Sequence, residues 1–310
     1  MKKNIVFSID NNYVGHLATT LNSLFRHSSC KEFHIFILAL NVSLFNKNNI
    51  IEWASSFCEI DFIDISDAAV KDFPINSSSI SLATYLRLFI SDLLPKEVEK
   101  ALYLDSDILV LSNIDELYDM DISNNALAAI EDIDNTDFLR RNCSAPYFNA
   151  GVILFNISFL REINFTQTAI NFIVENKSHL KYHDQDVLNA LLGQFSILAP
   201  LKWNLLDCFY WEPPFIQERR INELKNARKK PAIIHFSGAI KPWHKFSNHP
   251  YTKLYLSYQP QIILNCKKDC WDHFKRIPSY QKVMLILRFP RKLYYFFDRL
   301  AVKMWKAQHD

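Results

Sequence analysis

Two aspartates separated by one residue, Asp105 and Asp107, are the strongest chemical signal in the sequence. With Ser106 between them, they interrupt the largely apolar stretch Lys100–Val110, which predicts that both carboxylates lie at the end of a buried strand. Two buried carboxylates repel each other unless a cation lies near them. Residues two apart on an extended backbone face the same side, and their oxygens suit Mg²⁺ or Mn²⁺. The tripeptide therefore predicts a divalent metal site, with a pair of solvated loop acids as the alternative.

Strands and helices that alternate along the first part of the chain are predicted to position these acids. Apolar runs predict strands at Asn4–Ile9, Phe33–Leu40 and Glu59–Ile65, and helical spacing predicts helices at Tyr13–Arg26 and Ser43–Phe57. This alternation is typical of an α/β protein with a parallel sheet and right-handed crossovers. Ligands of such sheets bind beyond the carboxyl ends of the strands.

Polar side chains lie where such ligands would bind. The loop after the first predicted strand offers Asp10, Asn12 and Tyr13, which fit a flat ring stacked on the tyrosine. A plain polar turn is the alternative.

The predicted amphipathic helix Ala83–Phe89 carries a single cation, Arg87, among apolar neighbours. Such an arginine predicts an anionic partner, which is either one of the paired aspartates or a substrate phosphate or sugar.

Two more predicted strands carry polar residues near their ends. Ala126–Ile130 is followed by Asp132, and Tyr147–Asn156 includes Asn149 and Gly151. The chain has only 4 glycines. Gly151 therefore indicates a place where the backbone must approach another group closely.

The remaining candidate residues follow in two later segments. A predicted helix opens at Asp184, which could serve as its N-cap, whereas the neighbouring Gln185 has no capping role. A short predicted strand ends at His235, and the loop after it offers Gly238 for a tight bend and Lys241 for phosphate charge. A histidine at a strand end is more often structural than a metal ligand, and that alternative stays open.

The C-terminal part of the chain differs from the rest in charge. The formal net charge of the whole chain is +2, but residues 266–310, here called the basic tail, hold 11 Lys and Arg against 4 Asp and Glu. Aromatic residues are interleaved with these cations, which is typical of helices that dock on anionic lipid. An ordinary helical cap is the alternative. Nucleic acid is not expected as a partner, because the basic tail lacks an RNA-binding sheet platform.

Composition also predicts a location. The 6 cysteines contain no CxxC pair and no dense disulfide framework, so we expect reduced thiols in the cytoplasm. The apolar run after Lys3 is too short for a signal peptide, and no run approaches the ~20 apolar residues of a membrane span. We expect a main α/β domain at residues 1–265, held peripherally at the cytoplasmic face of the membrane by the basic tail.

Taken in order, six segments resemble the family 8 retaining glycosyltransferases, and most closely the bacterial lipooligosaccharide α-galactosyltransferases. The segments are Ile5–Tyr13, Tyr85–Arg87, Leu102–Asp107, Tyr147–Gly151, His183–Asp186 and His235–Trp243. The resemblance covers roughly the first four-fifths of the chain. It implies the type A nucleotide-sugar-binding fold, an α/β domain with a doubly wound, mostly parallel sheet.

The resemblance also implies substrates and residue roles. The donor would be a UDP-hexose, with galactose favoured over glucose, and the acceptor a saccharide of a bacterial surface glycolipid. The metal would be Mn²⁺, with Mg²⁺ as the alternative, held by Asp105, Asp107 and His235. The nucleotide and its phosphates would contact Ser8, Asp10, Asn12, Tyr13, Arg87, Asp105, Ser106, Gly238 and Lys241. The residues implied at the reacting sugar are Arg87, Asn149, Asp184 and Gln185, with Asp132 on the acceptor side. Close relatives carry a histidine near Ser79, where this chain has none, and this departure leaves the acceptor open.

The implied reaction keeps the configuration of the sugar. We expect same-face attack, in which the departing phosphate takes the acceptor proton and Gln185 steadies an oxocarbenium-like sugar. A covalent intermediate on Gln185 or Asp184 is the alternative route.

Two other function classes stay open. A haloacid dehalogenase-like phosphatase also uses Asp-x-Asp, although it favours Thr or Val where this chain has Leu109. A membrane-bound scaffold would bind the sugar nucleotide without turnover.

Overall fold

The protein is an α/β structure built on one large sheet and one small sheet. The computed structural model describes residues 2–28, 33–75, 80–133, 145–207, 216–238, 240–245, 247, 249–266 and 279–287. The described strands are β1 (Lys3–Asp10), β2 (Phe33–Leu40), β3 (Glu59–Asp64), β4 (Lys100–Leu104), β5 (Ile108–Val110), β6 (Leu127–Glu131), β7 (Phe148–Asn156), β8 (Ser196–Leu198) and β9 (Ile233–His235). The described α-helices are α1 (Val14–His27), α2 (Leu44–Ala54), α3 (Ile90–Leu93), α4 (Asp115–Tyr118), α5 (Ile157–Glu162), α6 (Phe165–Asn176), α7 (Asp184–Leu192), α8 (Ile221–Lys229), α9 (Thr252–Ser257) and α10 (Ser279–Ile286). Short 3₁₀ helices lie at Asp67–Ala69, Leu82–Phe89, Gly193–Phe195, Leu201–Trp203 and Glu218–Arg220.

The large sheet has seven strands in the order β3-β2-β1-β4-β7-β6-β8. Strand β7 runs antiparallel to both of its neighbours, and the other described pairs of this sheet are parallel. Alternate residues of β1 enter separate apolar cores: Ile5 lies in the core that includes α1, and Val6 lies in the core that includes the 3₁₀ helix Leu82–Phe89. The predicted α/β fold with a doubly wound, mostly parallel sheet is confirmed.

A small two-stranded sheet lies beside the end of β4. Its strands β5 and β9 are antiparallel, with Ile108 opposite His235. The chain leaves the large sheet after Leu104 and enters the small one at Ile108, so Asp105 and Asp107 lie in the short connection between the two sheets. This register brings His235 next to the paired aspartates from a position about 130 residues later in the chain.

Two predicted helices differ from the structure. The predicted α-helix at Ala83–Phe89 is a 3₁₀ helix, because three-residue and four-residue periods give similar apolar spacing over so short a segment. The predicted helix at Ser43–Phe57 is shorter: α2 begins after Ser43, whose side chain accepts a hydrogen bond from Asn46 N, and it ends at Ala54.

The end of the main body is held against the first loop of the sheet. The backbone N–H of Asn265 donates to Asn46 Oδ1 at 2.7 Å, and the side chains of Asn46 and Asn11 donate to its carbonyl. Most of the basic tail lies outside the described residues, and the described part contains α10. Within the ranges given above, no helix has the length and apolar character needed to cross a bilayer.

Candidate active site

Three side chains converge at the junction of the two sheets. Asp105 follows β4, Asp107 precedes β5, and His235 ends β9, and one ligand atom from each lies within 4.8 Å of the others. Nε2 of His235 lies 3.3 Å from Asp107 Oδ1 and 3.6 Å from Asp105 Oδ2. We call these residues the ligand trio. Two carboxylates and one imidazole form a donor set that could hold a divalent cation such as Mn²⁺.

The backbone at Gly151 is shaped around the ligand trio. A Cβ atom at this position would lie 2.2 Å from His235 Cε1 and 2.8 Å from Asp105 Oδ2. Strand β7 also anchors the trio, because Gly151 O accepts a hydrogen bond from Asp105 N at 2.8 Å. The sequence indicated that the backbone at Gly151 approaches another group closely. In the structure it approaches His235 and Asp105, which are two of the three predicted metal ligands, and this supports a cation site here.

Lys241 lies on the other side of Asp107. Its Nζ is 2.7 Å from Asp107 Oδ2 and also donates to Phe236 O at 2.6 Å. Burial alone would raise the pKa of Asp107, but the Lys241 ammonium beside it holds that pKa well below its usual range. Gly238 lies three residues before Lys241 in the same loop and is half-buried. A fixed positive charge therefore lies directly beside the ligand trio.

Arg87 connects the ligand trio to helix α7. Its guanidinium lies 2.9 Å from Asp105 Oδ1 and 2.9 Å from Asp184 Oδ2, and it is buried over the ring of Tyr103. The predicted ion pair between Arg87 and one of the paired aspartates is confirmed for Asp105, and Asp184 is a second partner that the sequence did not indicate. Burial raises the pKa of Asp184 to about 6, although the Arg87 charge lowers it. Thr84 Oγ1 also donates to Asp184.

The predicted N-cap at Asp184 is wrong. Asp184 is the first residue of α7, and His183 precedes it with φ 56° and no side-chain capping bond. Because the Asp184 carboxylate is engaged by Arg87, the turn before the helix is held by Asp186, whose Oδ2 accepts from Lys181 N and Tyr182 N at 2.7 and 2.6 Å. Burial of an ion pair has taken precedence over local capping at this helix start.

Three amide side chains lie behind the ligand trio. Gln185 Oε1 accepts hydrogen bonds from Asn149 Nδ2 at 3.0 Å and from Ala150 N at 3.1 Å. Asn204, after the 3₁₀ helix Leu201–Trp203, donates from Nδ2 to Asn149 Oδ1 at 2.9 Å, and its Oδ1 lies 3.0 Å from His235 Nδ1. We call Asn149, Gln185 and Asn204 the amide trio. Two of them were candidates from sequence, and the structure brings both next to the ligand trio.

The predicted nucleotide contacts gather at the end of β1. Asp10 Oδ1 accepts from Asn12 N at 2.8 Å and from Tyr13 N at 3.3 Å, so this carboxylate first holds its own turn. Asn12 is exposed, and Ser8 is half-buried within β1. Tyr13 is half-buried, and burial raises its pKa to about 12. The backbone carbonyl of Ser106 accepts from Thr20 Oγ1 at 2.8 Å.

Of the positions implied on the acceptor side, Asp132 lies away from the ligand trio in the sheet, and Ser79 lies outside the described residues. Asp132 follows β6, which is two strands from β4 in the sheet, and its N–H donates to Tyr147 O at 2.9 Å. It is buried. Ser79, where close relatives carry a histidine, lies outside the described residues.

Comparison with known proteins identifies the family. The profile of glycosyl transferase family 8 matches residues 4–247, most of the chain. The chain belongs to glycosyl transferase family 8. Over 266 residues it is 32% identical to general stress protein A of Bacillus subtilis, which covers 82% of this chain and 92% of that protein. Over 261 residues it is 26% identical to the lipopolysaccharide 1,2-glucosyltransferase of Escherichia coli K12, which covers 81% of this chain and 76% of that protein.

A solved structure supports the same assignment. The crystal structure of the galactosyltransferase LgtC in complex with donor and acceptor sugar analogues superposes with a TM-score of 0.75 and 26% identity, covering 86% of this chain and 98% of that one. The resemblance to family 8 and the implied type A fold are both confirmed. The family assignment also removes the phosphatase alternative.

Several residues of this family 8 site were not found from sequence. Asn204 and His16 lie outside the motifs named from the sequence. The ring of His16 stacks on Trp243 with centroids 3.6 Å apart, and its Nδ1 lies 2.7 Å from Tyr255 Oη. Burial lowers the pKa of His16 to about 3, so the ring is neutral and joins α1 to the Lys241 loop. These side chains act through partners that are distant in sequence, which leaves no local signal.

Proposed function

We propose that the protein is a retaining hexosyltransferase that moves galactose from UDP-galactose to a saccharide of a bacterial surface glycolipid, with Mn²⁺ as its metal. The observation that carries this proposal is the ligand trio, with Lys241 on one side and the buried Arg87–Asp184 pair on the other. In a family 8 protein, this arrangement places a cation site and a fixed positive charge next to polar groups suited to a sugar. UDP-glucose is the alternative donor, favoured by the similarity to a lipopolysaccharide 1,2-glucosyltransferase.

The diphosphate would bind between the ligand trio and the Lys241 loop. Asp105, Asp107 and His235 would hold Mn²⁺, or Mg²⁺ in its place, which when bound supplies Lewis-acid stabilisation of the departing phosphate. Lys241 would exchange its bond to Asp107 for one to a phosphate oxygen, and the backbone of the half-buried Gly238 would lie near the phosphate. Ser106 lies between the two aspartates and would face the same group.

The nucleoside would occupy the end of β1. Tyr13 provides an aromatic face, and Asp10 and Asn12 provide polar groups for the uracil and ribose. Ser8 lies two residues earlier on the same strand. The T-shaped contact between Tyr13 and Trp243, with centroids 6.2 Å apart, supports this assignment, because it joins the nucleoside end to the loop that carries Lys241.

The transferred sugar would lie against Arg87, Asp184, Asn149 and Gln185, with Asp132 on the acceptor side. Arg87 is 4% exposed, and its guanidinium is held by two carboxylates and by donation to Thr84 O and Ala150 O, so its direction is fixed. Fixed donors and acceptors stabilise developing charge without having to reorganise during the reaction. A shift in the position of the sugar hydroxyls would therefore cost binding free energy, which favours selection of one hexose.

Retention would proceed by same-face attack. The bond from the anomeric carbon to the UDP oxygen breaks as the acceptor oxygen forms a bond on the same face, and the acceptor proton passes to the departing phosphate. Gln185 is poorly suited to be a nucleophile, since its Oε1 already accepts two N–H bonds. A covalent sugar adduct on Gln185 or Asp184, trapped with a slow donor and detected by mass spectrometry, would contradict this route.

The donor assignment is tested by measuring UDP release. A panel of UDP-sugars is incubated with and without Mn²⁺, and the preferred donor is then combined with a panel of saccharide acceptors. We expect Mn²⁺-dependent release that is greatest with UDP-galactose and increases with the correct acceptor. UDP binding without release from any donor and acceptor pair would favour the scaffold alternative.

We further propose that residues 1–265 form the catalytic domain and that the basic tail holds it at the cytoplasmic face of the membrane. The support is the excess of Lys and Arg in the tail, interleaved with aromatic residues. Removal of residues 266–310 should abolish sedimentation with anionic vesicles and leave turnover of a soluble acceptor unchanged. Neutral vesicles serve as the control, and unchanged binding to anionic vesicles would refute the proposal.

A further inference from the structure

We infer that Asn204 is a positioning residue that fixes which nitrogen of His235 carries the hydrogen and joins the ligand trio to the amide trio. This inference rests on the proposed function, because it concerns the same cation site. Asn204, His235 and Asn149 are 2%, 4% and 9% exposed, so solvent has little access to the bonds between them.

The orientation of the first two amides is set by the backbone. Ala150 N donates to Gln185, and Gly151 N donates to Asn149 at 2.9 Å. Because a backbone N–H only donates, the atoms facing these groups must be the amide oxygens. Asn149 therefore directs its NH₂ group to Gln185 and its oxygen towards Gly151.

The same reasoning continues through Asn204 to the imidazole. Asn149 Oδ1 accepts a second bond from Asn204 Nδ2, so Asn204 is left with its oxygen facing His235 Nδ1. A carbonyl oxygen only accepts, which means that Nδ1 of His235 carries the hydrogen. A metal-binding imidazole is neutral and has one N–H, so with that hydrogen on Nδ1 the Nε2 lone pair is available to a cation held with the carboxylates of the ligand trio.

This tautomer favours a cation. With the hydrogen on Nε2, the ring would donate to Asp107, which lies 3.3 Å away, and would compete with a metal for that carboxylate. Partners that orient a metal-bound histidine in this way typically contribute about 10- to 100-fold to metal affinity. Asn204 would thus prevent a hydrogen bond from His235 Nε2 to Asp107, which would occupy both metal ligands when no metal is bound.

Two substitutions at Asn204 separate its two bonds. Asn204→Ala removes both and should weaken Mn²⁺ binding by about 10- to 100-fold in calorimetry without UDP. Asn204→Asp keeps an acceptor for His235 Nδ1–H but cannot donate to Asn149. It should retain most of the Mn²⁺ affinity and lower kcat. A purely structural role would instead weaken Mn²⁺ binding to a similar extent in both variants, or in neither.

The tautomer itself is measured on the unaltered protein. Ring ¹⁵N shifts should show His235 protonated at Nδ1 and bare at Nε2, and this spectrum decides the point even if Asn204→Ala does not fold. Asn156→Ala is the control for loss of a bonded asparagine side chain, because Asn156 donates to two backbone carbonyls and lies opposite Lys100 at the far end of β4. It should leave Mn²⁺ affinity unchanged.

The outcomes separate this inference from the proposed function. If the unaltered protein does not bind Mn²⁺, the metal role in the proposed function fails. If it binds Mn²⁺ but His235 carries its hydrogen on Nε2, or Asn204→Ala binds Mn²⁺ equally well, only the role of Asn204 is overturned.

Discussion

The ligand trio and the amide trio lie side by side, yet they differ in how their polar atoms are satisfied. In the ligand trio, Nε2 of His235 and oxygens of Asp105 and Asp107 converge within 4.8 Å. All are atoms that donate electron pairs to a metal. In the amide trio, by contrast, the oxygens of Asn149 and Gln185 each meet two N–H groups, and Asn204 closes the chain onto His235.

This difference separates two kinds of binding. Lys241 and Arg87 already offset part of the negative charge of the ligand trio, and the electron-pair donors that converge there would gain a further partner when a cation binds. The oxygens of the amide trio have their hydrogen bonds without a ligand, so these side chains are already in position for one. Metal binding and sugar positioning should respond differently to substitution, and the following predictions test that.

The largest effect is expected from Asp107→Asn. It removes a charge from the ligand trio and leaves Lys241 without its carboxylate partner, so turnover should fall by roughly 100- to 1000-fold. Mn²⁺ affinity measured by calorimetry should be lost, and circular dichroism should show an intact fold. The exposed Asp121→Asn is the control for charge alone. Retained Mn²⁺ affinity would refute the ligand assignment.

Gly151→Ala tests the space around the ligand trio. The added Cβ would overlap His235 and Asp105, so we expect weaker Mn²⁺ binding and a clear loss of activity. Gly193→Ala is a matched control, because a Cβ there would meet its nearest neighbour, Ala145 Cβ, at an ordinary 3.6 Å. Equal Mn²⁺ affinity in the two variants would argue against a cation held at Gly151.

Gln185→Ala tests the amide trio. The change leaves Ala150 N–H and one N–H of Asn149 without their acceptor, which should lower the free energy of unfolding by about 1–3 kcal/mol. Turnover should fall because the sugar is no longer positioned, whereas Mn²⁺ affinity should remain. Parallel loss of Mn²⁺ affinity and turnover would show that the two trios are not separable.

The smallest effect is a pH dependence from Asp184. Its pKa is raised to about 6 by burial, so kcat/KM should fall as the pH drops through about 6 and the carboxylate that pairs with Arg87 becomes protonated. Because this pKa lies above its unfolded value, the group's contribution to stability is present at low pH and is lost as pH rises from about 4 to 6. Asp184→Asn should remove the acidic limb of the kcat/KM profile, and an unchanged limb would assign it to another group.

The residue pattern was sufficient to predict a metal site at the paired aspartates, because Asp105 and Asp107 follow an apolar run. His235 was added to that site only by the family resemblance, since a histidine at a strand end is more often structural. The contact of His235 with the aspartates depends on the register of β5 against β9, which no local pattern encodes. Asp10 shows where the sequence was ambiguous. Its position after β1 fitted either a nucleotide contact or a polar turn, and in the structure its carboxylate accepts a hydrogen bond from Asn12 N in that turn.

Long-range partners account for what was missed. Asn204 contacts residues 55 and 31 positions away, and Asp184 is withdrawn from capping by an ion pair across 97 positions. Capping rules describe a helix end in isolation, and burial of Arg87 overrides them here. Apolar spacing likewise could not separate a 3₁₀ helix from an α-helix at Leu82–Phe89.

The most direct test of the central claim is the linkage between Mn²⁺ and UDP, measured by calorimetry on the full chain. Two ligands that bind the same protein must change each other's affinity by the same factor, and ligands that contact each other favourably raise it. We predict that saturating Mn²⁺ strengthens UDP binding and that UDP strengthens Mn²⁺ binding equally. A UDP affinity that is the same with and without Mn²⁺ would contradict a cation held between the ligand trio and the diphosphate.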